Sequence, residues 1–204
     1  MNLSIVDYEL PNDTHNLYDI TFFNDQIHTL VTRAPSLVDG WIAEIENIHS
    51  RRLHRLIVGL DVEWRPNRSR HINNPAATLQ LCVGRRCLIF QLLYTSYFPQ
   101  SLVDFLSNPN YTFVGAGING DVEKLIEDHD LVVARTVDLG KLASEEYGIR
   151  QLRNAGLKTL AREVLGKEVA KPKRITMSRW DNEWLTPAQI QTISLLYFIY
   201  DRIC

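Results

Sequence analysis

The sequence predicts an α/β fold: a mixed sheet with helices on both faces, plus an N-terminal hairpin. Three observations carry this. Strand-like runs come first, two of them closing an apparent hairpin; strands then alternate with helix-like runs. The run "LIVGLDVEW" is apolar on alternate and intervening positions alike, as a central strand buried on both sides must be.

In chain order, "LYDITFF" and "IHTLVTR" have strand character, and Asn24-Asp25 supply turn residues between them. "SLVDGWIAEIENIHSRRLHR" reads as one helix, with Leu37, Trp41, Ile45 and Ile48 at helical spacing. Three strands follow, "RLIVGLDVEW", "ATLQLCVG" and "RCLIFQLL", the last two joined across Gly84-Arg85. The loop "RPNRSRHINNPA" between the first two should be exposed. Next come a helix ("PQSLVDFLSN"), a strand ("YTFVGAGI"), a helix ("GDVEKLIEDH") and a short strand ("ARTVDL"). The helices "GKLASEEYG", "LKTLAREVLG" and "TPAQIQTISLLYFIYDRIC" complete the chain. With no repeat and no low-complexity tract, the 204 residues suit a single domain over 1–204.

A net charge of -2 gives no global basic footprint, so nucleic-acid contacts must come from local clusters. Cys82, Cys87 and Cys204 cannot all pair and show no C-x-x-C spacing, which predicts reduced thiols in the cytoplasm, with the nucleus as the alternative. The polar N-terminus does not read as a signal peptide, and no apolar run approaches the ~20 residues that span a bilayer. No membrane partner is expected.

Asp61 and Glu63 stand inside the central strand. Residues two apart share a face, with Cα atoms ~6.6 Å apart, so Ile57, Gly59, Asp61 and Glu63 point one way and Val58, Leu60 and Val62 the other. Two like charges there need compensation, which hard divalent cations supply. A solvated pair at the strand's exposed end is the plainer alternative. Further on, "TFVGAGINGDVEKL" satisfies G-x-G-x-x-G through Gly115, Gly117 and Gly120, with Asp138 where a ribose-binding acid would stand. That pattern suggests a dinucleotide enzyme. Yet it follows three strands instead of one, and it leaves Asp61 and Glu63 without a role. The alternative is that Asp121, at a helix start, is the functional residue and that Gly115 and Gly117 let a ligand approach.

Strand D-x-E, hairpin, helix and a strand ending in "AGINGD" resemble, in that order, the 3′-5′ exonucleases of the DEDD superfamily, DnaQ-like proteins of ribonuclease H-like fold. The likeness runs through "VGLDVEW", "TLQLCVGRRCLIFQL", "FVGAGINGDVEKL", "GLKTLAREVLG" and "MSRWDNEWLTPAQI", about residues 55 to 191. It is strongest to the Werner-syndrome-type domain of plants, and within that to the RISC-interacting clearing exoribonucleases. The resemblance implies a ribonuclease H-like sheet and a two-metal site, Mg²⁺ or Mn²⁺, with Asp61, Glu63 and Asp121 as ligands. It also implies a third motif, Y-x-x-x-D, whose tyrosine orients the attacking water. By count from Trp180 that motif falls on Thr192 and Leu196, which cannot serve; Tyr197 and Asp201, five residues on, share a helix face and carry the right groups. Three readings stay open: a shifted helix that uses Tyr197 and Asp201, an acid borrowed from Asp138 or a neighbouring subunit, or an incomplete site in a binding-only pseudo-enzyme. The implied substrate is single-stranded RNA, with DNA as the alternative, and the implied partner is Argonaute within RISC.

Two basic clusters suit a nucleic-acid strand. Arg65, Arg68 and Arg70 follow the D-x-E pair. Lys167, Lys171, Lys173, Arg174 and Arg179 lie beside Trp180 and Trp184, cations next to aromatic platforms. A solvated loop with two core tryptophans is the competing reading. "ISLLYFIY" is apolar on nearly every helical face, which predicts burial in a homo-oligomer interface.

Overall fold

The computed structural model describes residues 3–10, 14–22, 25–67, 69, 71–168 and 173–194. β1 (Leu3–Asp7), β2 (His15–Phe22) and β3 (Asp25–Thr32) form an antiparallel meander. The predicted hairpin is therefore present and carries a third strand. At five residues, "LSIVD" is too short for its period to be read from sequence.

α1 (Pro35–Ile48) is shorter than predicted. The chain continues as a 3-10 turn over Ser50–Arg55, broken at Arg52. Leu53 is the one apolar residue in "SRRLHR", so an α-helix extended through this stretch would have almost nothing to bury.

β4 (Ile57–Trp64) pairs antiparallel with β5 (Ala76–Val83), which turns at Gly84 into β6 (Arg86–Gln91). α2 (Gln100–Ser107), β7 (Thr112–Gly115), α3 (Ile118–His129), β8 (Thr136–Asp138) and α4 (Leu139–Glu146) then alternate as expected. α5 (Leu157–Leu165), α6 (Lys173–Thr176) and α7 (Pro187–Ile190) follow. The eight strands form one mixed sheet in the order β1-β2-β3-β6-β5-β4-β7-β8. β3 joins β6 in parallel, and β7 and β8 extend the other side in parallel from β4.

The strand period sorts the core into two layers. Val58, Leu60 and Val62 of β4 pack with Leu79, Leu81 and Phe90 beneath Trp41 and Ile45 of α1, Phe105 of α2 and Leu125 of α3. Ile57 faces the opposite layer, where Ile20, Ile89 and Val114 meet Leu139 of α4, Leu160 of α5 and Ile190 of α7. Helices thus cover both faces, and β4 is central.

Cys82 and Cys87 correct the expectation of reduced thiols. The β5–β6 register sets them directly opposite each other, with Cα atoms 4.2 Å apart, and they are disulfide-bonded. Spacing rules for metal motifs do not anticipate a pair closed by a hairpin. Among the described residues, no helix is long and apolar enough to cross a membrane.

Tyr111, which leads into β7, is buried and donates to Glu46 of α1 at 2.8 Å. Burial, then the bond to Glu46, pushes its phenol up to about 12. A raised folded-state value stabilises the fold fully below the ordinary value of about 10. The contribution is lost as pH climbs through about 12. Stability measured by urea unfolding should therefore fall across that window, and Tyr111→Phe should shallow the fall. Equal slopes in the two proteins would refute the assignment.

Candidate active site

Asp61 and Glu63 occupy β4 on the face opposite Val58, Leu60 and Val62, as the strand period requires. Both are partly buried. They open into a cleft of about 230 Å³ whose other walls are Trp64, Pro66, Thr176 and Met177. The β4–β5 register shifts between Glu63 and Trp64, a bulge at the strand's end that re-aims the side chains around it. Across the ladder, Asp61 faces Gln80 and Glu63 faces Thr78. Both of these are fully buried, and the Thr78 hydroxyl and both polar atoms of the Gln80 amide have no hydrogen-bond partner. Two unpartnered polar side chains therefore share the strand face of the two carboxylates, although neither lines the cleft. Thr78 and Gln80 alternate inside an apolar run, the same signal that marks Asp61 and Glu63, and that alternation could have pointed to them from sequence.

The glycine run has a packing role that differs from the one expected. A Cβ on Gly115 would lie 2.6 Å from the Leu60 carbonyl oxygen, so its bareness lets β7 close against β4 beside Asp61. Gly117 caps α3 at φ +77°, a left-handed conformation that glycine adopts without steric cost. The Asp138 carboxylate accepts from Gly117 N–H at 2.8 Å and from Lys141 N–H at 3.0 Å, the latter capping α4.

Asp121 sits in the first turn of α3, a favourable place for a carboxylate, and is 8% exposed. One turn on, Lys124 pairs with Asp128 at 2.7 Å and lies over the Trp64 ring. The helix thereby packs against the end of β4. Asp121 does not line the cleft itself. Among the described residues, no three His, Cys, Asp or Glu side chains close into one metal cage. Mg²⁺ does not require such a cage, because it keeps several waters and binds through one or two carboxylates plus substrate phosphates. The Asp61–Glu63 pair, with the unpartnered Thr78 and Gln80 oxygens on the same sheet face, fits an ion of that kind.

The predicted basic contacts divide. Arg65 follows the cleft wall and pairs with Asp181 at 3.4 Å. Asp181 also accepts from Arg179, and that bond holds its carboxyl below the usual range despite partial burial. Trp180 is core, 1% exposed, while Trp184 is exposed. Lys173 begins α6 and Arg174 is exposed on it. Arg68, Arg70, Lys171, Tyr197 and Asp201 lie outside the described residues. Thr192 is buried and its hydroxyl donates to the Gln189 carbonyl, consistent with its unsuitability for the third motif.

A family model for 3′-5′ exonuclease matches residues 33–192, a span that includes the β4 carboxylates, the hairpin and α3. The chain belongs to the 3′-5′ exonuclease family. This exonuclease domain is 35% identical over 145 residues, 71% of the chain, to the mouse bifunctional 3′-5′ exonuclease/ATP-dependent helicase WRN, and spans 10% of that protein. It is 34% identical over 135 residues to a 3′-5′ exonuclease of Arabidopsis thaliana, covering 66% of this chain and 46% of the relative. The EXD2 exonuclease domain soaked in Mg and GMP superposes with a TM-score of 0.51 at 24% identity, over 86% of this chain and 85% of that one. The same domain has been solved soaked in Mn. The exonuclease fold leaves no place for the dinucleotide reading, since its glycine turn leaves β7, a later strand of a mixed sheet.

Proposed function

We propose that this exonuclease domain hydrolyses single-stranded RNA from its 3′ end with Mg²⁺ or Mn²⁺. One observation carries the reading: two carboxylates side by side on a central strand, opening into a cleft with an apolar wall. Asp61 and Glu63 would hold metal, joined by Asp121 and, through the C-terminal segment, Asp201. When bound, a pair of such ions supplies a hydroxide nucleophile and neutralises the leaving 3′ oxygen.

The chain's own residues do the rest. Trp64, Pro66 and Met177 give the terminal base an apolar wall. Arg65, tethered by Asp181, places a cation at the mouth where a phosphate would sit. Tyr197, four residues before Asp201 in the sequence, is the candidate to orient the attacking water. Preference for RNA, and Argonaute cleavage fragments in RISC as its source, are supported by the narrower resemblance of the motifs. Assembly into a homo-oligomer is supported by the apolar run 193–200.

The test offers matched single-stranded RNA and DNA with each metal. Faster shortening of RNA is expected. Equal or faster loss of DNA would overturn the RNA assignment, and binding without shortening of either strand would make the domain a pseudo-enzyme.

A further inference from the structure

A second cavity, of about 510 Å³, lies between the meander and α1. Its helical wall is Leu37, Gly40, Trp41 and Glu44, a single stripe at i, i+3, i+4 and i+7. Gly40 opens the groove: a Cβ there would meet no atom within 4 Å. Glycine inside a helix costs about 1 kcal/mol against alanine, so the open space is kept at the expense of stability.

The stripe runs on through half-exposed Ile48 into the 3-10 turn, where Arg51, Arg52, His54 and Arg55 are exposed. Among the described residues none of the four is in an ion pair, in a chain of net charge -2. Arg86 links turn and groove. It lines the groove and donates to Glu44 at 2.7 Å. Together with Arg52 it faces His49, whose imidazole is held below its ordinary range first by burial and then by these two guanidiniums.

The acids of the groove are already engaged. Asp19 accepts from Tyr8, Gln26 and His28. Burial pushes its carboxyl up, but those bonds outweigh it and hold the group below the usual carboxylate range. Glu44 is held by Arg86. Phosphates are therefore drawn to the turn and not to the groove floor. The aromatic and apolar walls, Tyr18, Leu37 and Trp41 among them, instead suit the faces of bases.

We propose that the groove along α1 and the arginine turn at its end form a second track for single-stranded nucleic acid, with bases in the groove and phosphates on Arg51, Arg52 and Arg55. The choice of occupant rests on the nuclease reading. The track is distinct from the carboxylate cleft: Arg55 precedes β4, and six steps of extended chain, ~20 Å, separate it from Asp61. Forked guanidiniums preceded by one half-exposed isoleucine match a phosphate backbone better than an apolar protein interface.

The experiment measures anisotropy of a labelled oligouridine in EDTA, with wild type, the triple variant R51Q/R52Q/R55Q, and Gly40→Leu. The triple variant should bind roughly tenfold more weakly, with a log K against log salt slope shallower by about 2, at about 0.7 per lost phosphate contact. Gly40→Leu should weaken binding without changing that slope, and should raise the melting temperature. Unchanged affinity and slope in both would overturn the track and leave the surface to an acidic protein. Loss in one variant alone would remove the other's half of it. Wild type that binds yet fails to hydrolyse RNA in Mg²⁺ or Mn²⁺ would sink the nuclease reading and leave the track standing.

Discussion

Asp61→Asn lowers the rate of nucleotide release by about a thousandfold or more, because it removes one of the two carboxylates that can hold the metal and so the source of the nucleophile. The same change should leave the fold at least as stable. Asp61 and Glu63 share one strand face, and both are partly withdrawn from water. Deleting one of two neighbouring negative charges relieves repulsion. Activity and stability therefore move in opposite directions, which an ordinary buried acid would not produce. Single-turnover rates in Mn²⁺, together with melting temperatures in EDTA, read both. Activity within tenfold of wild type would contradict the role of Asp61. A large fall in melting temperature would mean that the side chain is structural.

Gly115→Ala destabilises the fold by about 2 kcal/mol or more, the range of overpacking in a tight core. The new Cβ would lie 2.6 Å from the Leu60 carbonyl oxygen and 3.2 Å from Ile118 Cβ. The first obstacle is backbone and cannot rotate away, so β7 must part from β4 at the residue next to Asp61. Activity should fall with stability. Gly120→Ala is the internal contrast: it lies in α3, where an added Cβ meets nothing within 4 Å, and it should be neutral or stabilising. Urea unfolding compares the two. A loss under about 0.5 kcal/mol for Gly115→Ala would contradict the close approach.

Much of this was legible in the sequence because two periods did the sorting. Period two placed Asp61 and Glu63 together and gave β4 its two buried faces. Hairpin chemistry at Gly84-Arg85 set the β5–β6 pair. What escaped was non-local. The pairing of Arg65 with Asp181 links positions 116 apart. Met177 lines the cleft with Asp61 and Glu63 although it lies far from them in sequence. The disulfide needs the register of β5 on β6. The glycine run fits a cofactor turn by spacing, whereas its physical cause is the Leu60 carbonyl and a left-handed helix cap. The early end of α1 was visible in principle, since "SRRLHR" has no apolar stripe.

The central claim is tested most directly by following a 5′-labelled single-stranded RNA, wild type against Asp61→Asn, with Mg²⁺, Mn²⁺ or EDTA. The account predicts a ladder that shortens one nucleotide at a time from the 3′ end with metal, and intact RNA with EDTA or the variant. Shortening that persists in EDTA, or that runs equally in Asp61→Asn, would contradict it.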